Sequence, residues 1–130
     1  MPATETHTEA ILEHLVRHVL EIMCFAEAQR LPSLPLLVHP VEARSGYLQI
    51  DVEPAVARAL TAAFLGVDPS VEPWHPSVEL HTHDAMQELS RVLWGRLVSS
   101  RDPGAPFETE TIRQAFRLSA GTLCVTLQLS

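Results

Sequence analysis

Gly46-Tyr47-Leu48-Gln49-Ile50-Asp51-Val52-Glu53-Pro54-Ala55-Val56-Ala57-Arg58-Ala59-Leu60 changes its hydrophobic period in mid-course, and that change decides the fold class. Leu48, Ile50 and Val52 alternate with Gln49 and Asp51, the period of a strand with one buried face. From Glu53-Pro54 onward the period is helical. Proline suits a first turn, Val56, Ala59, Leu60, Ala63 and Phe64 make one apolar stripe, and Gly66 is a C-terminal stop. A strand feeding directly into a helix calls for a sheet and helices that share a core.

Upstream, Leu36-Leu37-Val38 and then Val41 to Arg44, followed by the turn-like Ser45-Gly46, make a partner strand for Tyr47 to Val52. Pro40 puts that partner at an edge or a bulge. Before it, Ile11, Leu12, Leu15, Val16, Val19, Leu20 and Met23 recur at three- and four-residue steps, which predicts an amphipathic helix from Thr8 to about Ala28. Leu31-Pro32-Ser33-Leu34-Pro35 cannot continue it.

Downstream, Val67 to Ser77 contains three prolines and reads as a loop. A third helix follows, from about Ser77 or Thr82 to Ser99, with Ala85, Met86, Leu89, Val92, Leu93 and Leu97 inward. Past an Arg101-Asp102-Pro103-Gly104 turn, two segments alternate: Ile112, Gln114, Phe116, Leu118, then Leu123, Val125, Leu127, Leu129. They form a hairpin closed at Ser119-Ala120-Gly121. The predicted architecture is α+β, an antiparallel-rich sheet with long helices packed on one face, in one domain spanning residues 1–130.

Composition narrows the function. Of 130 residues, 46% are apolar and 19% charged, a globular balance. Nine Lys+Arg against 16 Asp+Glu leave a net charge of -7, unlike a nucleic-acid binder. All nine cations are arginines and the chain has neither Lys nor Asn, which removes Schiff-base chemistry and a Walker-type phosphate loop. No apolar run is long enough for a membrane span, and Met1-Pro2-Ala3-Thr4-Glu5 has no basic region ahead of an apolar one. The expectation is a cytoplasmic protein without cofactor, nucleic-acid or membrane partner, with Cys24 and Cys124 as buried free thiols.

Chemistry-bearing residues concentrate on the third helix. Asp84, Glu88, Arg91 and Gly95 follow one another at steps of four, three and four, so they share the face opposite the core stripe. On periodicity alone this is a solvated face with a Glu88–Arg91 ion pair. Yet Asp84-Ala85-Met86-Gln87-Glu88-Leu89-Ser90-Arg91, with Gly95 four residues on, resembles the signature helix of the CheC/CheX/FliY family of chemotaxis phosphatases, whose pattern is Asp or Ser, three residues, Glu, two residues, Asn. The strand-then-helix unit from Gly46 to Gly66 and the closing Phe116 to Leu129 hairpin resemble the same family. The likeness covers about residues 8–129, with a single copy of the signature as in the CheX branch.

The resemblance implies a CheC-like fold and hydrolysis of the aspartyl phosphate of response-regulator receiver domains. In that chemistry an amide side chain holds a water in line with phosphorus, and a carboxylate engages a cation on the partner. Glu88 falls on the acidic catalytic position and Asp84 on the position that opens the motif. Arg91 falls where the family has its water-positioning Asn. Guanidinium has donors only, whereas an attacking water needs an acceptor for its protons, so ordinary phosphatase activity is expected to be lost or much reduced. Two alternatives stay open: Arg91 stabilising phosphoryl charge as an arginine finger does, or Gln87 acting with Asp84 as a slipped acid-and-amide pair.

Other clusters give less. His14 and His18 with Glu21 have a metal-capable spacing on the first helix but lack the Glu that metalloprotease helices carry beside the first His. His81 and His83 sit where a helix entrance is predicted, with Thr82 as its N-cap. No metal site is predicted from either. Trp74 is a candidate contact residue in its loop, and Trp94 is expected at the edge of a helix interface. The functional expectation is a domain that docks on a response-regulator receiver domain, with a non-catalytic scaffold module as the competing class. A homodimer through an exposed Thr122 to Leu129 strand is a further expectation.

Overall fold

The computed structural model describes residues 7–67, 76–100 and 111–128. In chain order the elements are α1 (His7–Cys24), β1 (Gln29–Arg30), β2 (Val41–Ser45), β3 (Leu48–Val52), α2 (Pro54–Leu65), α3 (Pro76–Ser99), β4 (Thr111–Leu118) and β5 (Gly121–Gln128). The strands form one five-stranded sheet in the order β1-β4-β5-β3-β2, antiparallel at every pairing. The α+β architecture expected from the sequence is the architecture observed.

One face of the sheet is the core. Leu48, Ile50 and Val52 of β3 and Leu123, Val125 and Leu127 of β5 are fully buried, while Gln49, Asp51, Cys124 and Thr126 between them are partly exposed. The buried face joins a single apolar cluster with Leu12, Val16, Val19 and Leu20 of α1, Val56, Ala57 and Leu60 of α2, and Met86, Leu89, Leu93 and Leu97 of α3. Burial of this much aliphatic surface is the dominant favourable contribution to the fold. All of α1, α2 and α3 contribute to it.

The boundaries of α2 follow the sequence signals. Pro54 stands in the first turn, and Gly66 ends the helix in the left-handed region at φ 71°, its N–H reaching the Ala63 carbonyl. Glu53 fastens the helix start to the sheet: its Oε1 accepts from Thr122 N–H at 2.7 Å, and its own N–H donates to the Thr122 carbonyl at 3.1 Å. On the same core face, at β4, buried Gln114 donates from Nε2 to the Glu9 carbonyl at 2.8 Å and joins that strand to the first turn of α1.

Four expectations are corrected. The first helix stops at Cys24 rather than near Ala28, because Phe25 turns left-handed at φ 53° and the Ala26 N–H closes back on the Leu20 carbonyl. The helix thus ends on a left-handed residue that is not glycine, so no residue type announced it. The chain released by it pairs as β1, with Gln29 opposite Arg117 and Arg30 opposite Phe116, a strand too short to show a period. Leu36-Leu37-Val38 is not a strand: the ladder begins only at Val41, after His39 at φ 48° and Pro40. The third helix starts at Pro76, so Thr82 is no N-cap, and its hydroxyl donates to the Val78 carbonyl within the helix.

The fourth correction concerns assembly. β5 is an interior strand, paired through its length to β4 on one side and to β3 on the other, and has no free edge for a second chain. The sheet's outer strands are β1 and β2. The Arg101-Asp102-Pro103-Gly104 turn, most of the Val67 to Ser77 loop with Trp74, and Leu129 lie outside the described residues.

Candidate functional site

Helix α3 lies against the β2–β3 hairpin and is held there by a small polar network. Ser90, fully buried, donates from Oγ to the Gln87 carbonyl at 2.7 Å and stands 3.0 Å from Ser45 Oγ. Gln87 Nε2 donates to the Arg44 carbonyl at 2.7 Å and to Ser45 Oγ at 3.3 Å. Since the Ser90 proton goes to Gln87, the Ser45 hydroxyl is the donor to Ser90, and the four groups close a ring between helix and edge strand. One turn on, the Trp94 indole lies across Gly46 in the tight turn, edge-on to Tyr47 with ring centroids 5.6 Å apart. Trp94 therefore packs on the hairpin, where the sequence pointed to a helix interface.

This anchorage fixes which α3 residues face outward. Asp84 is 82% exposed and has the His81 imidazole 4.0 Å away. Glu88 and Arg91 form a close pair: Arg91 Nε donates to Glu88 Oε2 at 3.0 Å, and Nη2 donates to Oε1 at 2.7 Å and to Oε2 at 2.6 Å. Both carboxylate oxygens of Glu88 thus accept from a guanidinium fork. The hydrogen bonds, and then the charge, of Glu88 push the Arg91 pKa above its already high ordinary value, so Arg91 is a permanent cation. Asp84, Glu88, Arg91 and Gly95 share the outward line that their spacing predicted.

Gln87 does not join that line. Its amide nitrogen is committed to the backbone of β2, which takes away half of the slipped acid-and-amide pair considered from sequence. The sequence carried no signal for this role, because the partner, Arg44, is remote in the chain and is bonded through its backbone.

The remaining candidates separate from this face. His14 and His18 stack on α1 with parallel rings, centroids 5.8 Å apart, and among the described residues no three His, Cys, Asp or Glu side chains converge to hold a metal. His81 and His83 are exposed helix residues rather than loop residues. Burial pushes the Cys24 thiol up to about 11, and burial followed by the charges of Asp51 and Glu53 pushes Cys124 up. Thiols held protonated in this way are poor nucleophiles. A depression of about 410 Å³ on the open face of the sheet, under Leu34, Pro35, Leu37 and Pro40, includes none of the α3 residues. No helix among the described residues is long and apolar enough to cross a membrane.

No protein-family model matches the sequence, and no curated protein matches it. Solved structures do. A chemotaxis protein CheX from Desulfovibrio desulfuricans superposes with a TM-score of 0.66 at 13% identity, over 96% of this chain and 100% of the other. The fold is CheX-like. A chemotaxis protein CheX from Vibrio vulnificus matches with a TM-score of 0.56 at 11% identity over 95% and 99% of the two chains. A CheC-like superfamily protein from Shewanella sp. PV-4 matches with 0.54 at 15% over 93% and 96%. The CheX-like likeness runs nearly end to end in both partners of each comparison, as the resemblance of residues 8–129 implied. At these identities it establishes the fold.

Proposed function

We propose that this CheX-like domain docks on the receiver domain of a response regulator through the outward line of α3, and that its aspartyl-phosphate phosphatase activity is lost or much reduced. The observation that carries the proposal is the Arg91–Glu88 fork. In the chemistry the resemblance implies, Glu88 meets a cation on the partner, and the residue at position 91 holds a water for attack on phosphorus. Here that residue is a guanidinium with donors only, and it occupies the carboxylate as well. The chain has no Asn, and the neighbouring amide of Gln87 is held over β2 by its Nε2 bond to the Arg44 carbonyl instead of standing on the outward line. Docking needs less: the 72%-exposed Arg91 side chain is free to swing off Glu88 when a partner's cation and anion replace the internal pair.

The test is the rate of aspartyl-phosphate loss from receiver domains, with wild type and Arg91→Asn side by side. Wild type is expected to leave the rate unchanged and Arg91→Asn to accelerate it, by about the factor of a hundred to a thousand that a restored positioning group supplies. Acceleration by wild type would refute the loss of activity and assign Arg91 a catalytic part. If neither protein accelerates loss and neither binds the receiver, docking itself is refuted.

A further inference from the structure

A glycine inside a helix weakens it unless a close approach requires the missing side chain. Gly46 has such a reason in the tight turn beneath Trp94. Gly95 has none within the described chain: a Cβ placed there meets no atom within 4 Å. It is exposed, lies one turn before the 24-residue helix α3 ends at Ser99, and follows Asp84, Glu88 and Arg91 on the outward line. Next to it in the chain, Trp94 leans over the β2–β3 turn, and Tyr47 stands edge-on to the indole with 48% of its surface exposed. Bare helix backbone therefore lies between a charged pair one turn away and a half-exposed aromatic pair. Tyrosine and tryptophan dominate the energetics of protein interfaces, and bare backbone lets a partner approach more closely than any side chain permits.

We infer that Gly95 and Tyr47 form the second half of the docking surface, a flat seat on which the receiver domain's own backbone packs. The inference rests on the docking reading above and extends it from the charged end of α3 to the hairpin. Charge complementarity selects the occupant. A phosphorylated receiver offers an aspartyl-phosphate anion and a nearby cation, and the same helix line offers Arg91 to the former and Asp84 and Glu88 to the latter. Gly95 and Tyr47 then receive the adjoining uncharged surface of that partner.

The inference makes one substitution move two readouts in opposite senses. Gly95→Ala adds a methyl group where no atom of the described residues lies within 4 Å, so it raises the melting temperature; in the complex it holds the partner away. The measurement is the melting temperature of each variant together with its affinity for receiver domains carrying beryllium trifluoride, a stable stand-in for the phosphoryl group. Gly95→Ala is expected to melt higher and to raise Kd roughly fivefold or more, and Tyr47→Ala to weaken binding to a similar degree. If Gly95→Ala melts higher and binds as wild type does, or melts lower, the seat is refuted. Weakening by Glu88→Arg in the same assay then shows that the docking reading survives. If wild type binds no receiver at all, both fall together.

Discussion

Gly46 and Gly66 are both left-handed glycines, at φ 58° and 71°, yet their neighbourhoods differ. A Cβ on Gly46 overlaps the Trp94 ring, whereas one on Gly66 meets nothing within 4 Å among the described residues. Gly66→Ala is therefore expected to cost only the left-handed penalty, about 1 kcal/mol, and Gly46→Ala that penalty plus forced displacement of the indole, about 2–4 kcal/mol in all. Urea unfolding of the two variants checks the ranking; equal losses would mean that Trp94 yields freely. The same contact explains why Trp94 was misplaced from sequence. A tryptophan beside a core leucine in a helix looks like a helix-interface residue, and only the turn's missing side chain makes room for it on the hairpin.

At the scale of elements, α3 and β2 are joined by directed bonds as well as by apolar contact. Ser45 and Ser90 share one hydrogen bond at 3.0 Å in a ring that includes Gln87 and the Arg44 carbonyl. Ser45→Ala and Ser90→Ala are each expected to lower stability by about 1 kcal/mol, because each leaves the other hydroxyl with a lost partner. The double variant should lose less than the sum, the mark of a shared interaction, and strict additivity in unfolding experiments would argue against the ring. Most elements were legible in the chain: α2 with both ends, the β2–β3 and β4–β5 hairpins, and the inward stripes of α1 and α3. The exceptions have local causes. Phe25 ends α1 in a conformation that glycine ordinarily adopts, β1 is too short for periodicity, and Leu34, Leu36 and Val38 are apolar but 51%, 94% and 71% exposed.

At the scale of the molecule, the buried thiol of Cys24 makes stability depend on pH. Its pKa rises by burial from an ordinary 9.0 to about 11 in the folded chain. The unfolded chain releases this proton near pH 9 and the folded chain only near pH 11. The group's contribution to stability is thus complete below pH 9 and declines between the two values. The decline from one proton is at most about 1.4 kcal/mol per pH unit. Wild type should lose more stability than Cys24→Ala across that window, as read from urea midpoints at successive pH values; parallel curves would mean that the thiol is not shielded. Cys124, which is less buried, is present in both proteins and cancels.

The sequence by itself determined the strand and helix periods, the start of α2 at Pro54 and its end at Gly66, and the line of Asp84, Glu88, Arg91 and Gly95 on one helix face. These are short-range matters, set by backbone dihedrals and by which side chains leave water. The exposed Glu88–Arg91 pair belongs with them, since three residues of helix bring the groups together. Only the tertiary structure decided that β5 lies between β4 and β3, that β1 exists, that Gln87 is anchored to Arg44, and that Trp94 covers Gly46. Each of these is a pairing between segments remote in the chain, with Leu48 opposite Leu127 and Gln87 against Arg44. Hydrogen-bond register and space filling choose such partners from many that the hydrophobic pattern allows equally.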